Sequence, residues 1–217
     1  MTRNVPLEIL VNEATGAYMP PPEWGSLIAA DRFIETSENR EAWLAARAGG
    51  VTATEVARAS TPAGFLEAVE ERRNPVELEP NAYMRFGSEN EDWISMFVKR
   101  EFGIMPNKWL IASKDNRRFM ATPDGLSLDH RRISEVKTGG KDIKSPPMPH
   151  RRQVGWQFYC TGAEVCEYAF MLRAEVNGVF VPAWMEPKVW RIERDDALIG
   201  DLIETANRLL DSDEKGL

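Results

Sequence analysis

Apolar positions follow two different periods along the chain, and the change of period separates a helical first part from a strand-rich second part. Between Asn81 and Phe102 the apolar residues recur mainly three or four positions apart, as on one face of a helix, and Gly103 follows as a stop. Short β-rich stretches separated by turn residues come next. They cover residues 108–113, 118–122, 125–128 and 133–137.

Capping and turn residues predict the remaining elements. Three helices are expected before the long one, over residues 37–47, from Thr52 or Thr54 to Ala59, and from Pro62 to Arg73. After residue 137 we expect a helix at 149–160, strands at 165–174 and 179–185 around an Asn177-Gly178 turn, a strand at 189–194 and a helix at 195–210. This order predicts one α/β domain whose mixed central β-sheet is flanked by helices. Its core spans about 37–210, and residues 1–22 are predicted to form an irregular arm.

Charge is unevenly distributed along the 217 residues. The chain as a whole has a net charge of −7, which argues against nonspecific coating of nucleic acid. Between Lys99 and Arg152, however, thirteen Lys and Arg face only six Asp and Glu. A basic middle within an acidic chain suits a protein that holds a polyanion at one place, although the same charges are equally compatible with a solvated surface.

Several classes of protein are disfavoured by the sequence. Cys160 and Cys166 cannot supply the four thiolates of an iron–sulfur cluster or of a Cys₄ zinc site. The N-terminus lacks the charged start and apolar core of a secretory leader, and no apolar run reaches the roughly 18 residues of a membrane span. We therefore expect a cytoplasmic protein that does not contact membranes.

The candidate chemistry lies between residues 122 and 137. Asp124 follows Thr122-Pro123, and Glu135 and Lys137 sit two positions apart on a predicted strand, so their side chains share one face. A hairpin would bring Asp124 alongside them. Two carboxylates beside an ammonium predict a site for Mg²⁺ or Mn²⁺ that hydrolyses phosphodiesters, with the Val136 carbonyl as a further ligand. A turn aspartate next to a simple cross-strand Glu–Lys pair is the alternative.

Basic loops flank these residues. Arg117 and Arg118 lie before the Asp124 turn and are candidates to grip the DNA backbone, although they also suit a solvated turn.

Four segments in this order resemble the lambda-exonuclease, or YqaJ-type, viral recombinase family of the PD-(D/E)xK nuclease superfamily. Together they cover roughly residues 40–165. They are Trp43-x3-Arg47-x-Gly49-x-Val51-Thr52-Ala53-Thr54, Gly87-x3-Glu91, Thr122-Pro123-Asp124-Gly125 with Glu135-Val136-Lys137, and Gln153-x3-Gln157 before Thr161-Gly162. Thr54 stands where the family has a serine.

The resemblance implies a restriction-endonuclease-like core and a role for each matched residue. Asp124 and Glu135 match the metal ligands and Lys137 the catalytic lysine, while Glu91 matches the helix carboxylate of a second metal position, with Glu89 as a competitor. Gln153 matches the glutamine that positions the water or the lysine, and Gln157 is its alternative and a further candidate for DNA contact. Arg47 and Thr54, with Thr52 beside them, match the pocket for a 5′-phosphate.

The activity implied by the resemblance is metal-dependent 5′→3′ exonuclease action on linear double-stranded DNA, with two Mg²⁺ ions per site and Mn²⁺ as a substitute. The product, a 3′ single-stranded overhang, would pass to a single-strand annealing protein in phage-type recombination. Family members form ring-shaped homotrimers, so a homo-oligomer is expected. A structure-specific or repair endonuclease of the same superfamily and a non-catalytic DNA-binding module are the alternatives.

Overall fold

The computed structural model describes residues 10–11, 18–19, 28–75 and 79–215. Most of the predicted N-terminal arm lies outside these residues. Within the arm, strand β1 (Leu10–Val11) pairs antiparallel with β2 (Tyr18–Met19), where an irregular segment was predicted.

The helices begin and end close to where the capping residues predict. They are α1 (Arg40–Ala48), α2 (Ala53–Ala59), α3 (Pro62–Arg73), α4 (Ala82–Phe102), α5 (Met148–Thr161) and α6 (Asp196–Lys215). The Asn81 side chain caps α4 by accepting from two backbone N–H groups, and Gly103 ends that helix at φ 68°, in the left-handed region. Helix α1, predicted from residue 37, begins at Arg40 and is capped by the Asn39 side chain. Between the two predicted alternatives for α2, the cap is Thr52.

The predicted α/β class with mixed sheet flanked by helices is confirmed, although strands β3 to β12 form two sheets where one central sheet was predicted. Their bounds are β3 (Phe33–Thr36), β4 (Val51–Thr52), β5 (Ile104–Pro106), β6 (Trp109–Ala112), β7 (Phe119–Ala121), β8 (Gly125–Ser127), β9 (Arg132–Gly139), β10 (Val165–Val176), β11 (Val179–Pro182) and β12 (Lys188–Glu193). The larger sheet has the order β11-β10-β9-β8-β5, with β12 also paired to β10, and the smaller has the order β3-β6-β7-β4. Both sheets are mixed, since β9 runs parallel to β10 and β4 parallel to β7.

Helix α5 forms the crossover between the parallel strands β9 and β10, and it is buried on almost every side. Val154 and Phe158 belong to a hydrophobic cluster with members from both sheets, whereas Trp156 and Cys160 belong to a second cluster with members from β4, β7, α2 and α6. The helix therefore connects two of the three hydrophobic clusters among the described residues. Cys160 is buried and is not part of a disulfide, and the same holds for Cys166 on β10. None of the helices among the described residues is long and apolar enough to cross a membrane.

The turn between β10 and β11 has the predicted hairpin geometry. Asn177 and Gly178 both have positive φ, at 52° and 79°, which is the conformation that a two-residue type I′ turn requires. The hairpin extends the larger sheet beyond β9, and its residues from Val176 to Val179 are exposed.

One histidine of the chain is buried in the core. His130 is 2% exposed, and its Nδ1 accepts a hydrogen bond from the backbone N–H of Ile28 at 3.1 Å. Because Nδ1 accepts, the ring must be neutral, and burial lowers the pKa of His130 to about 4.

This burial predicts a loss of stability in mild acid. An unfolded histidine takes up a proton near pH 6.5, whereas folded His130 does so only near pH 4, so the unfolded state binds more protons between these values. Lowering the pH from 7 to 5 should therefore reduce the free energy of unfolding by about 2 kcal/mol through this group. Denaturant titrations at several pH values measure the effect. The His130→Asn variant tolerates the positive φ and does not titrate, so an equally steep decline in that variant would contradict the assignment.

Candidate active site

The register of β8 and β9 brings Asp124 beside Glu135. Gly125 at the start of β8 pairs with Ser134 of β9, so Asp124, one residue earlier, lies beside the next part of β9. The Val136 N–H donates to Oδ2 of Asp124 at 2.6 Å. The strands approach closely here, since a Cβ added at Gly125 would lie 2.3 Å from the Ser134 hydroxyl. The predicted hairpin is thus confirmed, and a glycine is needed to form it.

Glu135 is the most heavily bonded group of the site. It is fully buried, it forms an ion pair with Lys137, and its two carboxylate oxygens accept from the side-chain amides of Gln153 and Gln157, each at 2.6 Å. The two glutamines lie four residues apart on α5 and therefore share one face of that helix. The structure thus places Gln153 on the acid, where the resemblance implied contact with the lysine or the water.

Negative charge is concentrated between β8 and β9. Burial raises the pKa of Asp124 well above its usual value, and the charge of Glu135 raises it further. Burial of Lys137 alone lowers its pKa, but Glu135, Asp124 and Glu91 together outweigh that effect and raise it. Lys137 therefore stays charged, and the carboxylates favour a further positive partner.

The helix carboxylate next to this pair is Glu91. It lines the same cleft as Asp124, Glu135 and Lys137, whereas Glu89 does not line it. Burial raises the pKa of Glu91, and the charges of Asp92 and Glu135 raise it as well. The sequence left Glu91 and Glu89 as alternatives, and Glu91 is the one that α4 presents to the cleft.

The oxygen-only donor set fits a hard divalent cation, but it is smaller than the resemblance implied. Within the part of the chain that the structure describes, no three Asp, Glu, His or Cys side chains are grouped closely enough to hold a metal ion. Asp124 and Glu135 are the adjacent pair, and Glu91 stands at the wall of the cleft. Mg²⁺ is commonly held by one or two carboxylates, with water and substrate phosphates completing its shell. The Val136 N–H contacts Asp124, while a role for its carbonyl stays a prediction.

The other side of the cleft is basic. The cleft has a volume of about 450 Å³, and it is lined by Arg47, Thr52 and Thr54 together with the catalytic candidates. The guanidinium of Arg47 stacks on the Trp43 ring at 4.1 Å, which fixes its plane, and burial lowers its pKa from the usual arginine value. An anionic end held at Arg47 would be within the same cleft as the carboxylates.

Three predicted DNA-contacting residues lie elsewhere. Gln157 is completely buried, so it cannot reach DNA, and its amide is used by Glu135. Arg117 donates to the backbone carbonyl of Asp31 at 2.6 Å and Arg118 to that of Gly49 at 2.9 Å. Neither arginine lines the cleft, and their contact with the DNA backbone stays a prediction.

Further cleft residues were missed by sequence reasoning. Trp43, Arg40, Lys108 and Ser88 line the cleft, as does Thr122, whose buried hydroxyl has no hydrogen-bond partner among the described residues. The Thr-Pro-Asp-Gly segment carried a signal for Thr122. Arg40 and Lys108 are brought in by α1 and by the loop before β6, which no local pattern links to Asp124.

Solved nuclease structures share this fold. The alkaline exonuclease LHK-Exo from Laribacter hongkongensis matches with a TM-score of 0.65 and 29% identity over 81% of this chain and 93% of that chain. The structure of LHK-Exo in complex with dAMP matches with a TM-score of 0.64 and 27% identity, and the match again covers 81% of this chain and 93% of that chain. A phage related exonuclease from Haemophilus somnus 129PT has a similar fold, with a TM-score of 0.58 and 15% identity. That match covers 77% of this chain and 96% of that chain. Among curated protein sequences, none matches this chain.

A PD-(D/E)xK hairpin with Asp124, Glu135 and Lys137 in one cleft, on a fold shared with these exonucleases, defines a nuclease of the lambda-exonuclease type. Residues 42–164, more than half of the chain, match the family model of the YqaJ-like viral recombinase domain. The chain belongs to that family.

Proposed function

We propose that this protein is a metal-dependent 5′→3′ exonuclease that degrades one strand of linear double-stranded DNA from its 5′ end. The observation that carries the proposal is the single cleft that holds both the acidic centre at Asp124 and Glu135 and the basic end at Arg47. A cleft of this kind suits a strand whose terminal phosphate is held beside the bond that is cut. The dAMP bound by the related LHK-Exo is consistent with a DNA substrate.

Asp124 and Glu135 would hold the metal, with Glu91 within electrostatic reach, and a bound ion would supply an activated water and neutralise charge on the phosphate. Lys137, kept charged by these acids, donates to the attacking water or to the phosphate oxygens. Gln153 and Gln157 fix the Glu135 carboxylate in one orientation.

End dependence is the sharpest test of the proposed reaction. Wild type and Asp124→Asn are incubated with Mg²⁺ and either a linear duplex or a closed circle of the same sequence. Wild type should consume only the linear DNA, starting from the 5′ terminus, while Asp124→Asn should leave both intact. Cleavage of the circle would indicate an endonuclease of the same superfamily. Binding by both proteins without cleavage by either would indicate a non-catalytic DNA-binding module.

The buried position of Gln157 predicts a catalytic effect without a binding effect. Gln157→Ala should lower the cleavage rate about tenfold, because the partners that orient metal ligands typically matter by that order. Affinity for duplex DNA should be unchanged, since the side chain is not exposed. Single-turnover rates and equilibrium binding measure the two quantities. Weakened binding with an unchanged rate would restore the original DNA-contact assignment.

We also propose, from the family resemblance and the basic middle of an otherwise acidic chain, that the protein acts as a ring-shaped homotrimer in the cytoplasm. The 3′ overhang would pass to a single-strand annealing protein. A mass of the protein in solution that differs from three times 24.6 kDa would contradict the trimer.

A further inference from the structure

A second groove adjoins the active-site cleft. Its volume is about 460 Å³, and it shares Ser88, Glu91 and Lys137 with the cleft. On its far side it is lined by Tyr83 from α4 and Arg173 from β10. This volume is in the range of small-molecule ligand sites. Because the groove and the cleft share lining residues, a strand bound at the catalytic residues has a continuous path into the groove.

Arg173 is held in this groove by aromatic rings from two distant parts of the chain. Its guanidinium carbon lies 4.3 Å from the ring centroid of Tyr83, 4.9 Å from that of Phe180 on β11 and 5.9 Å from that of Phe86. The rings of Tyr83 and Phe180 themselves lie 5.4 Å apart. Stacking of this kind restrains the plane of a guanidinium and leaves its N–H edge available for an acceptor.

The charge of Arg173 is not neutralised by any side chain that the structure describes. The Arg173 side chain forms no ion pair within residues 28–75 and 79–213, and its guanidinium donates no hydrogen bond to an acceptor there. Arg100 on α4 offers a comparison, because it stacks on Phe97 at 5.1 Å but is paired with Glu101 and Glu186. An arginine that is oriented yet unpaired is suited to an anionic ligand.

The position of the guanidinium relates it to the catalytic strand. One of its terminal nitrogens lies next to Gly140, where an added Cβ would come within 3.0 Å. Gly140 follows directly after β9, which carries Glu135 and Lys137. The available N–H edge thus lies just past the end of the strand that bears the reacting groups.

We propose that Arg173 binds a backbone phosphate of the cleaved DNA strand, next to the scissile one and on the side away from the terminal phosphate at Arg47. The inference rests on the proposed function and adds a substrate-binding residue to it. Tyr83 and Phe180 act as positioning residues, since they hold the guanidinium plane. A phosphodiester is the one anion that every nucleotide of the strand presents along this path.

Salt dependence of binding tests the contact. A fluorescently labelled linear duplex is titrated with wild type, Arg173→Ala, Arg173→Lys and Arg100→Ala, in EDTA to prevent cleavage. For Arg173→Ala we expect about tenfold weaker binding at roughly 0.1 M salt, and a slope of log K against log salt that is smaller by about one. Arg173→Lys should keep the slope of wild type. Arg100→Ala should match wild type in both quantities, because its charge is already paired.

The outcomes separate this inference from the proposed function. If wild type neither binds linear duplex in EDTA nor cleaves it with Mg²⁺, the proposed function fails. If wild type binds and cleaves, but Arg173→Ala has the affinity and slope of Arg100→Ala, the role of Arg173 is overturned while the nuclease stands. Weaker binding with an unchanged slope and a lowered melting temperature would make Arg173 a structural residue only, and would also overturn the proposal.

Discussion

Glu135→Gln is expected to lower the rate of phosphodiester cleavage on the order of a thousandfold or more. The substitution keeps the shape of the side chain but removes the negative charge that, with Asp124, would hold the metal. The transition-state stabilisation that a metal provides is several kcal/mol, and each 1.36 kcal/mol corresponds to a factor of ten. Lys137→Ala should have a comparable effect, because it removes the ammonium paired with Glu135.

Glu167→Gln provides a matched control for this experiment. Glu167 is also a buried glutamate, 2% exposed, on the neighbouring strand β10, but it pairs with Arg191 and does not line the cleft. Single-turnover rates with a linear duplex and circular dichroism of each variant measure activity and folding. Near-normal turnover by folded Glu135→Gln or Lys137→Ala would refute the catalytic assignment, as would an equal loss in Glu167→Gln.

Arg47→Ala is expected to slow digestion of 5′-phosphorylated ends on the order of 100-fold, since hydrogen bonds to charged groups contribute about 1.5–3 kcal/mol each. Ends that carry a 5′-hydroxyl should be digested at nearly the same rate by the variant and by wild type. The reason is geometric: the guanidinium is fixed over Trp43 in the cleft that contains Glu135. The substitution therefore removes a contact that only the phosphate makes.

The ratio of rates on phosphorylated and hydroxyl ends is the measurement, and the hydroxyl end serves as an internal control for folding. Arg47→Lys should retain only part of the preference, because lysine lacks the planar pair of donors. Identical ratios in wild type and Arg47→Ala would exclude this residue from the phosphate pocket.

The sequence predicted the centre of the candidate site because that centre depends on local geometry. The two-residue spacing of Glu135 and Lys137 fixes one strand face, and the short connection from Asp124 favours a hairpin. The Asn177-Gly178 turn was predictable for the same reason. Each of these inferences involves residues that are close in sequence, where period and turn chemistry are decisive.

Features that depend on distant contacts were not predictable. The separate smaller sheet depends on β3 and β4, which are four and two residues long and pair with strands far along the chain. Burial of Gln157 depends on how α5 is enclosed, and a helical period cannot show that both sides of a helix are covered. Arg173 acquires its surroundings from Tyr83 and Phe180, and only Phe180 is near it in sequence.

The enclosure of α5 links the durability of the enzyme to its activity. The helix that presents Gln153 and Gln157 to Glu135 also contributes side chains to two of the three hydrophobic clusters among the described residues. Heat inactivation should therefore coincide with cooperative melting of the whole domain, without an earlier stage in which the active centre loosens by itself. For the same reason, we expect substitutions in α5 to affect both the stability of the fold and the rate of turnover.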